Sequence, residues 1–286
     1  MNSNKKMIVF DLDGTLLNNK KELNNSSIQV LKEITKLGHY VCIATGRTLN
    51  ERVQDIIDLL GLQTYVINVN GNFIYNIKTK QTKCVGKSLL KSVIDAFKEK
   101  AIEYKRQLIA YNSDGDVKRY YYGIDQNKDI KDPEYFINGI EVNEFDDLSG
   151  VDFFLNDPNK KIVHIGVKSE RETSKKIFQE LQGFEQVNLA HITLVSKVFV
   201  DADAVGVNKW NAILEVAKEL NVDLNNIYTF GDSDNDLEML LNSKHGYCMG
   251  NADESVKKHF KKEQIIGNND SDAIANVLKQ EFNLDL

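Results

Sequence analysis

A chain of 286 residues, 42% hydrophobic and 27% charged, is long enough for two globular domains and carries no mark of a long disordered tract. Its formal net charge of -6 is scattered, and the pairs Lys5-Lys6, Lys175-Lys176, Lys257-Lys258 and Lys261-Lys262 are short, which excludes the clustered basic face of a nucleic-acid binder. No run approaches the roughly 18 apolar residues of a membrane span, and Cys42, Cys84 and Cys248 match neither a zinc site nor a disulfide framework.

The polar start, Met1 to Lys6, lacks the apolar stretch of a secretion signal. The expectation is a cytoplasmic protein, monomeric or a small homo-oligomer, with no nucleic-acid and no membrane partner. Met7-Ile8-Val9-Phe10 is wholly apolar, as suits a strand buried on both faces of a parallel sheet, and the polar cluster Asp11 to Thr15 ends it. Ser26, with Gln29 three residues on, is a candidate capping box for a helix with Ile28, Leu31, Ile34 and Leu37 on its apolar face and Gly38 at its end. The rhythm then repeats: a strand from His39 to Ala44, the loop Thr45-Gly46-Arg47, a helix from Leu49 to Leu60, and a strand from Tyr65 to Val69 stopped by Asn70-Gly71. With Phe73-Ile74-Tyr75, that turn suggests a small hairpin.

Past residue 82 the pattern changes. Leu89 to Lys98 reads as a helix. An irregular aromatic stretch follows, with Tyr104, Tyr111, Tyr120, Tyr121, Tyr122, Tyr135 and Phe136 as packing in a small sheet or as the lining of a pocket. Val151 to Leu155 and Lys161 to Val167 read as strands around the turn Asn156 to Asn159, and Glu170 to Leu181 as a helix. The parallel rhythm resumes with a helix from Lys209, a strand from Asn226 to Phe230, a helix from Asp234, a strand from His245 to Met249 and a helix from Asp270. The fold class is therefore α/β: a Rossmann-like parallel-sheet core with helices on both faces (residues 1-83 and 188-286) and an inserted α+β domain (residues 84-187).

Open α/β sheets bind ligands outside the carboxyl ends of their strands, and three polar clusters fall there. Asp11-Leu12-Asp13-Gly14-Thr15 follows the first strand. Asp-x-Asp-Gly also opens calcium loops, but those require a glycine at the sixth position, where Leu16 stands. Gly231-Asp232-Ser233-Asp234-Asn235-Asp236 follows the strand ending at Phe230. Oxygen donors with no histidine or cysteine nearby favour magnesium over zinc. Thr45-Gly46-Arg47 offers a hydroxyl and a helix N-terminus to an anion. Taken singly, Arg47 also reads as a surface arginine, Lys209 as a solvated charge at a helix start, and Cys42 as a small buried hydrophobe.

Four segments, Phe10 to Leu17, Ala44-Thr45-Gly46-Arg47, Gly206-Val207-Asn208-Lys209 and Gly231 to Leu240, resemble in order the four motifs of the haloacid dehalogenase superfamily. The likeness is strongest to its Cof-type phosphatases, whose α/β cap domain is inserted between the second and third motifs. Gly250-Asn251-Ala252 is similar to a later segment of that group.

The resemblance implies magnesium-dependent hydrolysis of a small-molecule phosphomonoester, a sugar phosphate first. It makes Asp11 the nucleophile, which becomes an aspartyl-phosphate, and Asp13 the general acid and then the general base. It implies a phosphate set of Leu12, Gly14, Thr45, Gly46, Arg47, Lys209 and Asn235. The magnesium ligands are Asp11, the backbone carbonyl of Asp13 and Asp232, with Asp236 supporting the metal's waters. The chain departs from the group at Trp210, where a small residue is usual, and in the run Ile265 to Ala273, where Asn268 or Asn269 takes the polar part. Two alternatives stand beside this reading. One is a phosphosugar mutase, with Lys105, Arg106, Lys118 and Arg119 as cap cations. The other is a non-catalytic phosphometabolite-binding protein, which the complete motif set disfavours.

Overall fold

Apolar at every position, Met7–Phe10 (β1) suits a strand covered on both faces, and its four side chains have no solvent exposure in a computed structural model that describes residues 5-122, 148-182, 190-195 and 198-286. The chain continues through α1 (Asn25–Lys36), β2 (Tyr40–Ala44), α2 (Glu51–Leu60), β3 (Tyr65–Asn68), β4 (Phe73–Asn76) and β5 (Gln81–Cys84). Then come α3 (Lys91–Glu103), β6 (Gln107–Asn112), β7 (Val117–Tyr121), α4 (Leu148–Asn156), β8 (Ile162–Lys168), α5 (Arg171–Gln182), β9 (Ala190–Val195) and β10 (Phe199–Ala204). The last stretch holds α6 (Lys209–Leu220), β11 (Ile227–Gly231), α7 (Leu237–Asn242), β12 (His245–Cys248), α8 (Glu254–Lys257) and α9 (Ala273–Phe282). These elements form two units, Met1–Val85 with Val207–Leu286, and Gly86–Gly206.

In the first unit the sheet order is β12-β11-β1-β2-β3-β4-β5, with β1 paired in parallel to both β2 and β11. β4 and β5 run antiparallel at one edge, so the sheet is mixed, and β3 and β4 make the expected hairpin. Side chains alternate across the sheet and fill two cores. Ile8 and Phe10 pack with Val30, Leu31 and Ile34 of α1, Val53 and Ile57 of α2, and Ile274 and Leu278 of α9. Met7 and Val9 pack with Ala212, Ile213 and Val216 of α6 and with Met239 and Leu240 of α7. Across β1, β11 and β12 the rings of Phe10, Phe230 and Tyr247 stack at 4.9 and 5.1 Å, which adds to the area they bury.

The second unit is built on the antiparallel sheet β7-β6-β8-β10-β9. Its strands reach further along the chain than residue 187: β10 pairs with β8 and β9, so the return to the first unit comes at Gly206. Val151–Leu155 lies in helix α4 rather than in a strand. A short apolar run carries no period to separate the two, and α4 leaves Phe153 72% exposed. Two strands, β6 and β7, fall in the aromatic stretch, with Tyr111 and Tyr120 buried, while Tyr135 and Phe136 lie outside the described residues. Ser26 is no cap: α1 starts after Asn24, and the Ser26 hydroxyl donates to Asp272.

Along β8, Val163, Ile165 and Val167 face one side of the second sheet, and His164, Gly166 and Lys168 the other. His164 is buried, with Nδ1 2.8 Å from Asp203 and Nε2 3.8 Å from Asp201. Burial alone would lower its pKa, but the two carboxylates outweigh burial and raise it to about 9. A histidine raised in the folded state stabilises fully below its unfolded pKa near 6.5, and that contribution is lost as pH rises through 9. The shift corresponds to at most about 3 kcal/mol. Lys168 acts in the opposite sense and later: burial lowers it to about 8, so stability recovers only above that pH. Chemical denaturation of the wild type is therefore expected to show stability falling between pH 6.5 and 8, and His164→Gln should flatten that slope. An equal slope in both proteins would contradict the pairing.

Candidate active site

Strand register brings the motif residues together. Phe10 is level with Ile43 of β2 and with Phe230 of β11, so the next turns of chain place Asp11, Thr45 and Asp232 along one edge, the carboxyl ends of the parallel strands. The Asp11 N–H donates to the Phe230 carbonyl, which ties the start of the first loop to the neighbouring strand. Gly14 has φ +84, and a Cβ there would lie 2.5 Å from an Asp232 carboxylate oxygen. Only glycine lets the first loop come so close to the fourth motif. Thr15 completes that contact by donating its hydroxyl to Asp232 at 2.8 Å.

Lys209 begins α6, where Asn208 caps the helix by accepting from the Asn211 N–H. Its side chain is wholly buried, and Nζ donates to Asp11 at 2.7 Å and to Asp236 at 2.6 Å. Burial alone would lower the lysine, but the two carboxylates outweigh it and hold the ammonium above its ordinary range. Asp236 uses its other oxygen to accept from the backbone N–H groups of Asp232 and Ser233, each at 3.0 Å. Carboxylate oxygens of Asp11, Asp232 and Asp236 lie within 4.8 Å of one another. Burial, then Asp236, pushes Asp232 up to about 7, and burial raises Asp11 well above the ordinary carboxylate range, with Lys209 opposing. Three acids share one ammonium, an arrangement able to hold a hard cation.

Asp13 has the opposite environment. Arg47 grips it with Nε at 2.5 Å and Nη2 at 2.7 Å, and Lys21 adds Nζ at 2.9 Å. Burial would raise Asp13, but the Arg47 bonds and charge, followed by those of Lys21, bring it down to about 2. The guanidinium is thus directed at a carboxylate two residues from Asp11. Thr45 is buried, and its hydroxyl accepts from the Arg47 N–H at 3.1 Å. Asn235 is buried too, and its amide donates to Asn70 at 3.0 Å, beside Gly46. The Leu12 side chain belongs to the core, so only its backbone is available to a ligand.

Several contributors escaped the sequence reading. Lys21 and Asn70 carry no motif signal; both have positive φ, at 63 and 54, as loop positions do. Asn251 donates to the Gly14 carbonyl at 2.7 Å and accepts from the Asn269 N–H, while the Asn269 amide donates to the Leu17 carbonyl at 2.9 Å. Of the two asparagines left open, it is Asn269 that is buried and braces the first loop. Trp210 packs on the core cluster beneath α6.

The family model of the haloacid dehalogenase-like hydrolases matches residues 8-278. The chain therefore belongs to the haloacid dehalogenase-like hydrolases, and within them to the Cof-type phosphatases, with the second unit between the second and third motifs. A relative in Bacillus subtilis, the 5-amino-6-(5-phospho-D-ribitylamino)uracil phosphatase YitU, is 24% identical over 97% of this chain and 98% of its own. Two solved structures share the fold. One is a sugar phosphatase of subclass IIB, with TM-score 0.78 and 20% identity over 98% of this chain and 100% of its own. The other is a haloacid dehalogenase-like hydrolase from Bacteroides thetaiotaomicron, with TM-score 0.72 and 23% identity over the same shares. Among the described residues no helix is long and apolar enough to cross a membrane.

Removing the buried ammonium leaves Asp11, Asp232 and Asp236 facing one another. In metal-free buffer Lys209→Met should cost about 3–5 kcal/mol of stability near pH 7.5. The loss should shrink toward pH 5, because acids with raised folded pKa values stabilise the fold as they protonate. Denaturant titrations at the two pH values check this, and a pH-independent loss would contradict the charge arrangement.

Proposed function

We propose that the chain hydrolyses a small-molecule phosphomonoester, by preference a sugar phosphate, through an aspartyl-phosphate on Asp11, with Asp13 as general acid and base. The observation that carries this reading is the buried Asp11–Lys209–Asp236 chain beside Asp232 at the carboxyl ends of β1 and β11. A carboxylate attacking a phosphate dianion meets like charge, and a desolvated ammonium already bonded to the attacking residue offsets it. The excess of carboxylate over ammonium, all in hard oxygen donors, fits magnesium. Asp11, the Asp13 carbonyl and Asp232 would hold it. Asp236, whose oxygens are engaged by Lys209 and two backbone N–H groups, orients the others. When bound, magnesium neutralises charge on the phosphoryl oxygens and aligns them for in-line transfer.

An Asp11 oxygen bonds to phosphorus as the bond from phosphorus to the leaving oxygen breaks, and Asp13 gives that oxygen its proton. The Asp13 carboxylate then takes a proton from water, whose oxygen displaces Asp11 and releases inorganic phosphate. Arg47 and Lys21 hold Asp13 as the carboxylate, the form the second step needs. The first step requires those bonds to loosen so that Asp13 carries a proton. Leu12 and Gly14 through their backbone, with Thr45, Gly46, Arg47, Lys209 and Asn235, hold the phosphate.

The preference for a sugar phosphate is supported by the relative that is a 5-amino-6-(5-phospho-D-ribitylamino)uracil phosphatase and by the sugar phosphatase that shares the fold. Arg106, one of the cap cations a mutase would use, is bonded to Glu170 through Nε at 2.8 Å and Nη2 at 2.7 Å, so its charge is met within the second unit.

The test is phosphate release from a panel of sugar phosphates, flavin mononucleotide, pyridoxal phosphate and nucleotides, with and without magnesium. The wild type should require magnesium, and Asp11→Asn should release nothing above background. Asp13→Asn should be slower by about 10²–10⁴-fold, the usual contribution of general acid–base catalysis. Turnover that survives loss of the Asp11 carboxylate would overturn the reading.

A further inference from the structure

Between β3 and β4 the chain makes a turn that Asn70-Gly71 favours and Val69 does not. Val69, Asn70 and Gly71 have φ of 48, 54 and 101, three successive residues in the left-handed region. Asparagine and glycine enter that region readily, but a β-branched valine there is an outlier. Such strain persists where the surroundings over-determine it, and it gathers at functional sites.

The surroundings of this turn are the functional motifs. The Val69 N–H donates to the Arg47 carbonyl at 3.1 Å, and the Asn70 N–H to the Thr45 carbonyl at 3.2 Å. The Asn70 side-chain oxygen accepts from the Asn235 amide at 3.0 Å and packs where a Cβ on Gly46 would be, 2.9 Å away. At Gly71 a Cβ would lie 2.3 Å from the carbonyl oxygen of Asn208, the residue that caps α6 ahead of Lys209. One turn thus touches the second motif, the fourth motif and the start of the helix that carries the buried lysine. Asn235 Oδ1 and Asn68 Oδ1, both buried, have no hydrogen-bond partner among the described residues. Buried acceptors are seldom left so, and the donor they lack is one that a water or a hydroxyl of the ligand supplies, the phosphate oxygens being acceptors themselves.

We infer that Asn70 is a positioning residue for phosphoryl transfer, which fixes the Asn235 amide against the Thr45 loop so that both meet the phosphate in one geometry. The inference rests on the phosphatase reading. Asn70 acts through Asn235 and Thr45. The left-handed φ selects asparagine over most residues, and the acceptor oxygen sets which way the Asn235 amide faces.

The informative variants are Asn70→Gly, which suits the backbone and deletes only the side chain, and Asn70→Asp, which keeps the acceptor. With p-nitrophenyl phosphate and magnesium, Asn70→Gly should lower kcat about 10–100-fold, as displacement of a positioned group does, and Asn70→Asp should stay within about threefold of wild type. In an Asn235→Ala background the glycine change should have no further effect, because the partner is gone. Thermal midpoints of wild type, Asn70→Gly and Asn70→Asp should agree. An Asn70→Gly enzyme as active as wild type, an aspartate variant as impaired as the glycine one, or an undiminished loss in the Asn235→Ala background would each overturn the inference. If the glycine variant does not fold, Asn70→Ser, too short to reach Asn235, takes its place in the same comparison. Affinity for inorganic phosphate is measured by calorimetry alongside. A wild type that releases no phosphate removes the phosphatase reading, and equal phosphate affinity in Asn70→Gly and wild type then removes this one.

Discussion

A fully buried ammonium is tolerable only where its charge is met on the spot, and the Lys209 contacts to Asp11 and Asp236 meet that condition. Much else follows from keeping this lysine there. Its helix must start at the level of the strand ends, which the Asn208 cap secures. Asp236 must be held from the far side, which the N–H groups of Asp232 and Ser233 do. Because each partner is a carboxylate, the same arrangement that stabilises the lysine concentrates negative charge around it. The fold thereby creates a demand for a cation at the strand ends.

That pocket can exist only because β1 is flanked on both sides by parallel partners. The pairings of Phe10 with Ile43 and with Phe230 fix the heights at which three loops leave the sheet. A slip of one residue would turn every side chain of the strand to the other face and carry Asp11 with it. The two cores therefore do more than stabilise: Ile8 and Phe10 on one side, Met7 and Val9 on the other, leave the strand a single register. Loop-to-loop contacts such as Thr15 to Asp232 and Asn251 to Gly14 act only after that register is set.

What the sequence disclosed and what it hid divide along physical lines. The parallel strands were readable because burial on both faces leaves a continuous apolar run, and the loops after them because acids beside such a run are conspicuous. Val151–Leu155 was not readable, since five residues hold too little period to tell a strand from a helix turn. The second unit's last strands, β9 and β10, were hidden because Asp201, Asp203 and Thr193 break the apolar pattern at positions that the fold nonetheless buries. Lys21 and Asn70 escaped for a different reason. Their roles come from contacts made across the chain, Lys21 with Asp13 and Asn70 with Thr45 and Asn235, and no local spacing encodes those.

The deepest contrast in the site is between two aspartates separated by a single residue. Asp11 faces inward among other acids, where burial raises it and only Lys209 pulls it down. Asp13 leaves the strand one step later and meets Arg47 and Lys21, which hold it near 2. Environments that drive like groups apart are how one residue type comes to perform two tasks. A nucleophile must stay unprotonated yet not be so well solvated that it fails to attack; burial serves the second need, and contact with a buried ammonium works toward the first against that burial. An acid–base group must instead change state within each turnover. Lys21 is half-exposed and Arg47 partly so; on the proposed reading their hold on Asp13 can yield when a phosphate ester offers the same cations a second anion, whereas the wholly buried Lys209 has no comparable alternative. On the proposed reading, the difference in burial between the two cation sets separates the fixed part of the machinery from the part that moves protons.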